Sequence, residues 1–445
     1  MIINFSVENY LSHKEMVTLS LEASSSKELS DNVIFNAGGT GFNLLKSVVL
    51  YGANASGKSN LIKALSFMAR FVILSTKNLS KRSSTGVTPF KLDANYLVKP
   101  SVFEISFISG GVRYLYGFSL DTRLIHGEWL YSYPYGRKRL LFERYLNENN
   151  KLEMPYDYKF GEHWSGEAKK IIKLTRPDSL FVTTAAQFNH PTADIVFSWF
   201  AKKFRIADSL PQGKSEEGFT IRLAENRKFK KQLLRFLQFA DLGIADFELK
   251  KVPLSESRLF RSAFHDIDFP EDIMNDFAKS MEIKTDNLVS EIITYRKGSN
   301  ENGKPIIVPF LFEEESQGTQ KFFVLAGPLV YVFNHGCCLV SDELDIQLHP
   351  LLSRNIVQNF HDKSVNRENA QLIFATHDIS LIENRELFRR DQIWFTQKDI
   401  NGATSLFSAW DFKIRKEENV GRGYLSGRFG AIPIIENTIE KPELK

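Results

Sequence analysis

Residues 47–65 read Ser47-Val-Val-Leu-Tyr-Gly52-Ala-Asn-Ala-Ser-Gly57-Lys58-Ser59-Asn-Leu-Ile-Lys-Ala-Leu65, and the fold follows from this stretch. The apolar run Val48 to Leu50 predicts a short strand. Leu61, Ile62 and Leu65 recur at helical spacing and predict a helix. Between them stands Gly52-x-x-x-x-Gly57-Lys58-Ser59. Strand, glycine-bounded loop and helix together are the context of a phosphate-binding loop. The glycines let the backbone approach an anion. The loop Gly52, Ala53, Asn54, Ala55, Ser56, Gly57 and the helix start through Asn60 would turn their amides toward it. Lys58 can reach the β- and γ-phosphates of a nucleotide, and the Ser59 hydroxyl can ligate Mg²⁺.

A second stretch, Cys337-Cys-Leu-Val-Ser-Asp342-Glu343-Leu-Asp345-Ile-Gln-Leu-His349-Pro350, predicts an apolar strand ending in two acids. Leu339 and Val340 drive the strand into a sheet and leave the acids at its end, where doubly wound sheets bind ligands. There Asp342 can hold the Mg²⁺ shell and Glu343 can polarise an attacking water. Leu372-Ile-Phe-Ala-Thr-His377-Asp378 predicts another strand, ending in a histidine. Upstream, Glu315-Ser316-Gln-Gly318-Thr319-Gln320 opens an apolar helical run, and Pro328 predicts a kink in it. Small residues at a helix start suit an anion.

The chain has 445 residues, enough for two or three lobes. Its hydrophobic content of 43% and charged content of 25% are those of a globular protein. No apolar run approaches the roughly 20 residues that span a bilayer, and no basic-then-apolar leader precedes the opening residues. No membrane partner is therefore expected. Cys337 and Cys338, the two cysteines, read as core residues of a strand and point to a reducing, cytoplasmic compartment. A net charge of +4 does not argue for nucleic acid by itself.

Residues 1–22 predict two strands joined by a turn at 9–13. Residues 103–144 predict an antiparallel meander with a hairpin at Gly110-Gly111. Lys77, Lys81 and Arg82 mark a basic surface loop. Leu180–Asn189 predicts a strand with a polar end. Residues 191–300 read as a helical insertion, including an amphipathic helix over 229–242 with Lys228, Lys230, Lys231 and Arg235 on its wet side. The stretch 253–286 is mixed, with an acidic run from Asp266 to Asp272. Ser299–Lys304 predicts a turn between strands, after which the chain re-enters the core at 306–312. The expected divisions are 1–190, 191–300 and 301–445.

The four motifs, in this order, resemble the ATP-binding-cassette ATPases of the chromosome-maintenance and recombination type (SMC/RecF-like). They correspond to Walker A, signature, Walker B with its glutamate, and switch histidine. The resemblance implies an α/β, ABC-type P-loop ATPase with an antiparallel β subdomain and a helical insertion. It implies ATP and Mg²⁺, with Glu343 as base, His377 on the γ-phosphate, and Gln187 joining Ser59 and Asp342 at the metal. It also implies that Ser316, Gly318 and Thr319 of a second copy close on the nucleotide, so that two ATP molecules are sandwiched in a homodimer or higher oligomer. In such ATPases the opening turn lies near the base and usually carries Arg or Lys where Leu11 stands, which makes a contact from this turn doubtful.

Arg390-Asp-Gln-Ile-Trp-Phe395, Gly402-Ala-Thr, Asp411-Phe-Lys and Tyr424-Leu-Ser-Gly-Arg-Phe-Gly-Ala-Ile-Pro433 further resemble the bacterial AAA-15 ATPases, RloA- or AbiLi-like, of restriction-linked and abortive-infection loci. Phe5-Ser-Val-Glu-Asn9 and Pro89-Phe-Lys-Leu-Asp93 agree. That resemblance implies a sensor or scaffold in anti-phage defence, triggered by DNA or a phage protein. It controls a separate effector nuclease, since the C-terminal segment shows no Toprim acid cluster. The alternative is a repair or recombination ATPase that binds DNA directly.

Overall fold

The computed structural model describes residues 1–76, 84–147, 156–164, 168–207, 214–253, 288–412 and 418–433. The chain forms two compact units. The first comprises Met1–Ser209, Val332–Ile346 and Pro350–Lys445, and the second comprises Leu210–Tyr331 with Gln347–His349. Lys77, Lys81, Arg82, the run from Asp266 to Asp272 and Lys413 lie outside the described residues.

The chain opens with β1 (Ile2–Glu8), β2 (Val17–Ser20), the small hairpin β3 (Val33–Ile34) and β4 (Leu44–Leu45), then β5 (Ser47–Tyr51) and α1 (Lys58–Leu74). After α2 (Ala94–Val98) come β6 (Ser101–Ser109), β7 (Val112–Leu120), β8 (Ile125–Tyr133), β9 (Arg139–Leu146) and β10 (Tyr156–Phe160). Helices α3 (Ala168–Leu174), α4 (Phe181–Gln187) and α5 (Pro191–Lys203) lead to β11 (Phe204–Ala207). Next are α6 (Lys214–Ala224), α7 (Arg227–Phe239), β12 (Ile244–Pro253), β13 (Leu288–Ser299), β14 (Pro305–Leu311) and α8 (Gln317–His335). The chain continues with β15 (Cys338–Ser341), α9 (Pro350–His361), β16 (Gln371–Ala375), α10 (Ser380–Glu383), β17 (Ile393–Lys398), β18 (Thr404–Ser408) and α11 (Val420–Leu425).

Two sheets build the first unit. One is the expected antiparallel meander, in the order β10-β9-β8-β7-β6-β1-β2. The other runs β11-β15-β16-β5-β17-β18, parallel except for β18. Strand β5 is buried at every residue because it lies between β16 and β17, which explains its unbroken Ser-Val-Val-Leu-Tyr run. Both sheets and α1 share one apolar cluster, to which α1 contributes Leu61, Ile62, Leu65, Met68, Phe71 and Val72. Cys337 and Cys338 are buried and free, as expected of core residues.

The stretch from Leu180 to Asn189 is not the strand its Val-Thr-Thr run predicts: Phe181–Gln187 is helical. Glu128, a fully buried side chain of β8, accepts hydrogen bonds from the Phe181 and Val182 amides at 2.7 and 2.9 Å. It thus caps the helix from a distant strand and satisfies donors that would otherwise be orphaned. Arg144 bonds the same carboxylate through Nε at 2.9 Å, and Tyr116 donates its hydroxyl at 3.0 Å. Thr183 turns its hydroxyl to the Val72 carbonyl of α1, 2.6 Å away.

The second unit contains the antiparallel sheet β12-β13-β14 beside helices. The helical insertion expected over 191–300 is therefore corrected. Helix α5 and strand β11 belong to the first unit, and residues 244–253 are a strand. The turn at 300–304 is present, but the strand after it completes this small sheet and does not re-enter the core. Phe323 of α8 packs edge-on against Phe247 and Phe312 at 5.2 Å each. Pro328 lies inside α8, where it cannot donate to the Val324 carbonyl four residues earlier. Thr220 of α6 supplies the missing donor, at 2.9 Å.

Candidate nucleotide site

The loop 52–57 leaves the carboxyl end of β5 and enters α1, as the sequence predicts. Gly57 has φ +114, and a Cβ there would lie 2.4 Å from Thr404 Oγ1. A Cβ on Gly52 would meet Ser56 Oγ and Thr396 at 2.5 Å. Both glycines are thus required by neighbours as well as by the loop. Lys58 is buried and donates to the carbonyls of Gly52 (2.8 Å) and Ala53 (3.2 Å). Desolvation lowers its pKa, while Asp342, Glu343 and Asp345 pull it back up.

Strands β15, β16 and β5 are parallel neighbours, so their carboxyl ends share one edge. Asp342 and Glu343 follow β15, His377 follows β16, and the loop follows β5. These are the predicted residues, brought to one place. Glu343 adopts φ +51, a left-handed conformation uncommon for a non-glycine residue and frequent at functional sites. The His377 pKa is lowered, first by partial desolvation and then by the Lys58 ammonium, with Asp345, Glu343 and Asp342 opposing. Its ring is neutral at pH 7.

Magnesium fits this edge. Asp342 Oδ1 is buried with no hydrogen-bond partner among the described residues, and the same holds for Asp345 Oδ1. A buried carboxylate oxygen without a donor is costly unless a cation completes it. Ser59, at the first turn of α1, is the hydroxyl partner the motif provides.

Gln187 does not join this set. It is exposed and donates to Thr76 Oγ1, beyond the C-terminal end of α1. Ser59 lies at the other end of that 17-residue helix, about 25 Å away at 1.5 Å per residue. The assignment of Gln187 to the metal is corrected on that ground.

Several contacts around the loop were not predicted. Thr404 Oγ1 of β18 donates to the Ser56 carbonyl (2.9 Å) and shares a hydrogen bond with Ser12 Oγ (2.8 Å). Asn60 donates to the same Ser12 oxygen (2.7 Å), and Ser56 Oγ shares a hydrogen bond with Thr396 Oγ1 (2.6 Å). The opening turn therefore touches the loop's helix through Ser12, while Leu11 donates its amide to the Thr88 carbonyl. The Tyr424 hydroxyl donates to the Ala431 carbonyl at 3.2 Å, and its ring stacks on Phe395 at 5.4 Å. Burial raises its pKa, and the nearby Gly52 amide opposes that rise. Thr404 and Tyr424 stand in segments that the family resemblance flagged without giving them a role.

In the second unit, Ser316 caps α8. Its Oγ accepts from the Thr319 amide at 3.2 Å and meets Thr319 Oγ1 at 2.9 Å. A Cβ on Gly318 would lie 2.8 Å from the Gln347 carbonyl. Glu315, just before the cap, is buried and held by Thr294 (2.6 Å) and by both arms of Arg296. The Ser316–Thr319 turn is therefore fixed from both sides.

Strand order, loop and acidic strand end define a P-loop nucleotide-binding domain with a mixed α/β core and an antiparallel sheet. The chain belongs to the family described as "AAA domain, putative AbiEii toxin, Type IV TA system", which matches residues 47–383. No curated protein matches the chain. Among solved structures it is similar to the SMC head domain from Thermotoga maritima, at 11% identity and a TM-score of 0.38, covering 92% of this chain and 98% of that one. It is also similar to the SMC head bound to the C-terminal winged-helix domain of ScpA, at 13% identity and 0.40, covering 92% and 97%. The Pyrococcus furiosus Smc head bound to the C-terminal domain of ScpA gives 12% and 0.35, covering 96% and 98%. Among the described residues, no helix is long and apolar enough to cross a membrane.

Proposed function

We propose that this chain binds and hydrolyses ATP as the sensor or scaffold subunit of an anti-phage system, in the manner of the RloA- or AbiLi-like ATPases, and controls a separate effector nuclease. The observation that carries the ATPase reading is the shared strand edge: loop, Asp342, Glu343 and His377 follow its strands, and Asp342 keeps a buried oxygen without a donor among the described residues. The family's description, which names a toxin–antitoxin system, supports the defence role.

Lys58 exchanges the Gly52 and Ala53 carbonyls for the β- and γ-phosphates as the nucleotide enters. Ser59 and Asp342 would hold Mg²⁺, which supplies charge neutralisation on the transferring phosphoryl oxygens. Glu343 accepts a hydrogen bond from the attacking water and orients it for in-line displacement. Neutral His377 hydrogen-bonds the γ-phosphate. The N-terminus of α8 at Ser316, Gly318 and Thr319, contributed by a second copy, closes on the phosphates through the Ser316 and Thr319 hydroxyls and the positive end of the helix.

Phosphate release and size-exclusion chromatography with ATP test this reading. The Glu343→Gln protein should lose hydrolysis and accumulate as an ATP-bound dimer, with the effector co-purifying. Wild-type turnover by that variant would overturn the assignment.

A further inference from the structure

The antiparallel sheet has two ends. At one, the turn after β1 reaches the loop helix through Ser12. The other lies one strand away, about 23 Å along the seven residues of β1. There β7 begins, β8 ends at Tyr133, and the turn 134–138 leads into β9.

This far end is cationic and aromatic. The Arg113 guanidinium lies 4.4 Å over the Tyr133 ring, and Lys138 Nζ lies 3.8 Å over Tyr131. Arg137, Lys138 and Arg139 are exposed. No carboxylate pairs with these four cations among the described residues. At the tip stands Tyr135, 99% exposed, with φ +55 beside Gly136 at +76. Glycine or asparagine would take that position without strain. The fold gains no packing from the ring, so folding does not explain a tyrosine there.

We propose that this end of the sheet binds single-stranded nucleic acid. Arg137, Lys138 and Arg139 take the backbone phosphates, and Tyr135 offers a free ring face for an unpaired base to stack on. An acidic protein would use the cations but not the ring. A duplex keeps its bases stacked and would leave Tyr135 idle. The proposal does not rest on ATP hydrolysis, because the patch is separate from the nucleotide site.

Fluorescence anisotropy of the full chain, with and without ATP, tests it, using labelled oligo-dT, oligo-U and a DNA duplex. Single strands should bind more tightly than the duplex, and the two oligonucleotides distinguish DNA from RNA as the source. Tyr135→Gly should weaken single-strand binding about 5- to 150-fold, the range for losing one stacked base. Its thermal midpoint should stay level or rise, since the turn loses its strain. Reversing Arg137, Lys138 and Arg139 to Glu should lower the salt slope of binding by about 2, at about 0.7 per phosphate contact. Unchanged affinity in both variants, equal loss of duplex and single-strand binding in Tyr135→Gly, or displacement by polyglutamate at the same concentration as by oligo-dT would each overturn the proposal.

Discussion

Replacing Glu128 by Gln changes one oxygen for an NH₂ group and should unfold much of the first unit's margin of stability. The carboxylate is fully buried and accepts from Arg144, Tyr116 and the Phe181 and Val182 amides at 2.7–3.0 Å. Glutamine leaves the Arg144 guanidinium buried without a counter-charge, which costs about 3–5 kcal/mol. Its NH₂ also faces existing donors, so one more hydrogen bond is lost, about 1–3 kcal/mol. The terms overlap, and a total of about 4–6 kcal/mol is expected against the 5–15 kcal/mol typical of a domain. Urea unfolding followed by tryptophan fluorescence reads the first unit alone, because Trp129, Trp164, Trp199, Trp394 and Trp410 all lie within it. Arg144→Met should cost less, because the carboxylate keeps its two helix amides and Tyr116. The double variant should recover more than 2 kcal/mol relative to additivity, as expected within one network (roughly 0.5–3 kcal/mol). If Glu128→Gln costs under about 1 kcal/mol, the capping account of α4 is wrong.

Three further outcomes follow from the same geometry. His13 and His361 are buried, and desolvation lowers their pKa values from 6.5 to about 4 and about 3. Below pH 6.5 the unfolded chain binds the extra protons, so this stability is present above that pH and is lost on acidification, about 2 kcal/mol per histidine by pH 5. Urea midpoints measured from pH 7 to 5 should fall accordingly, and His361→Gln should flatten the slope. Gly57→Ala, with φ +114 and its new methyl against Thr404, should weaken nucleotide binding at least about fivefold, given roughly 1–3 kcal/mol of backbone strain. Binding of a fluorescent ATP analogue at wild-type affinity would contradict it. Tyr424→Phe keeps the stack on Phe395 but removes the hydroxyl that lies beside the Gly52 amide and donates to the Ala431 carbonyl, and should weaken nucleotide affinity about fivefold for about 1 kcal/mol. The urea midpoint should also fall, because the Ala431 carbonyl loses its donor, and a loss of stability without a change in affinity would show that the hydroxyl does not position the loop.

The structure brings to one strand edge those predicted residues that lie close in sequence to the element that holds them. The loop, Asp342, Glu343 and His377 each follow an apolar strand directly, so strand and chemistry were read together. The strand expected over 180–189 failed because its buried Val-Thr-Thr run fits a strand or a helix equally. A carboxylate more than fifty residues earlier, Glu128, selects the helix. The strand at 244–253 was missed for another reason. Its register shifts between Ile244 and Asp246, which interrupts the alternation that marks a strand.

The sequence alone determined the phosphate loop, its flanking strand and helix, the meander and the acidic strand end, because each depends on contiguous residues and short periodicities. Only the tertiary structure decided what braces the loop. Thr404 and Tyr424 lie more than three hundred residues beyond Gly57 and Gly52, and Ser12 lies in the turn between β1 and β2 of the other sheet. It also moved Gln187 to the far end of α1, since a side chain's distance from a site is set by how helices pack, and no local pattern records that.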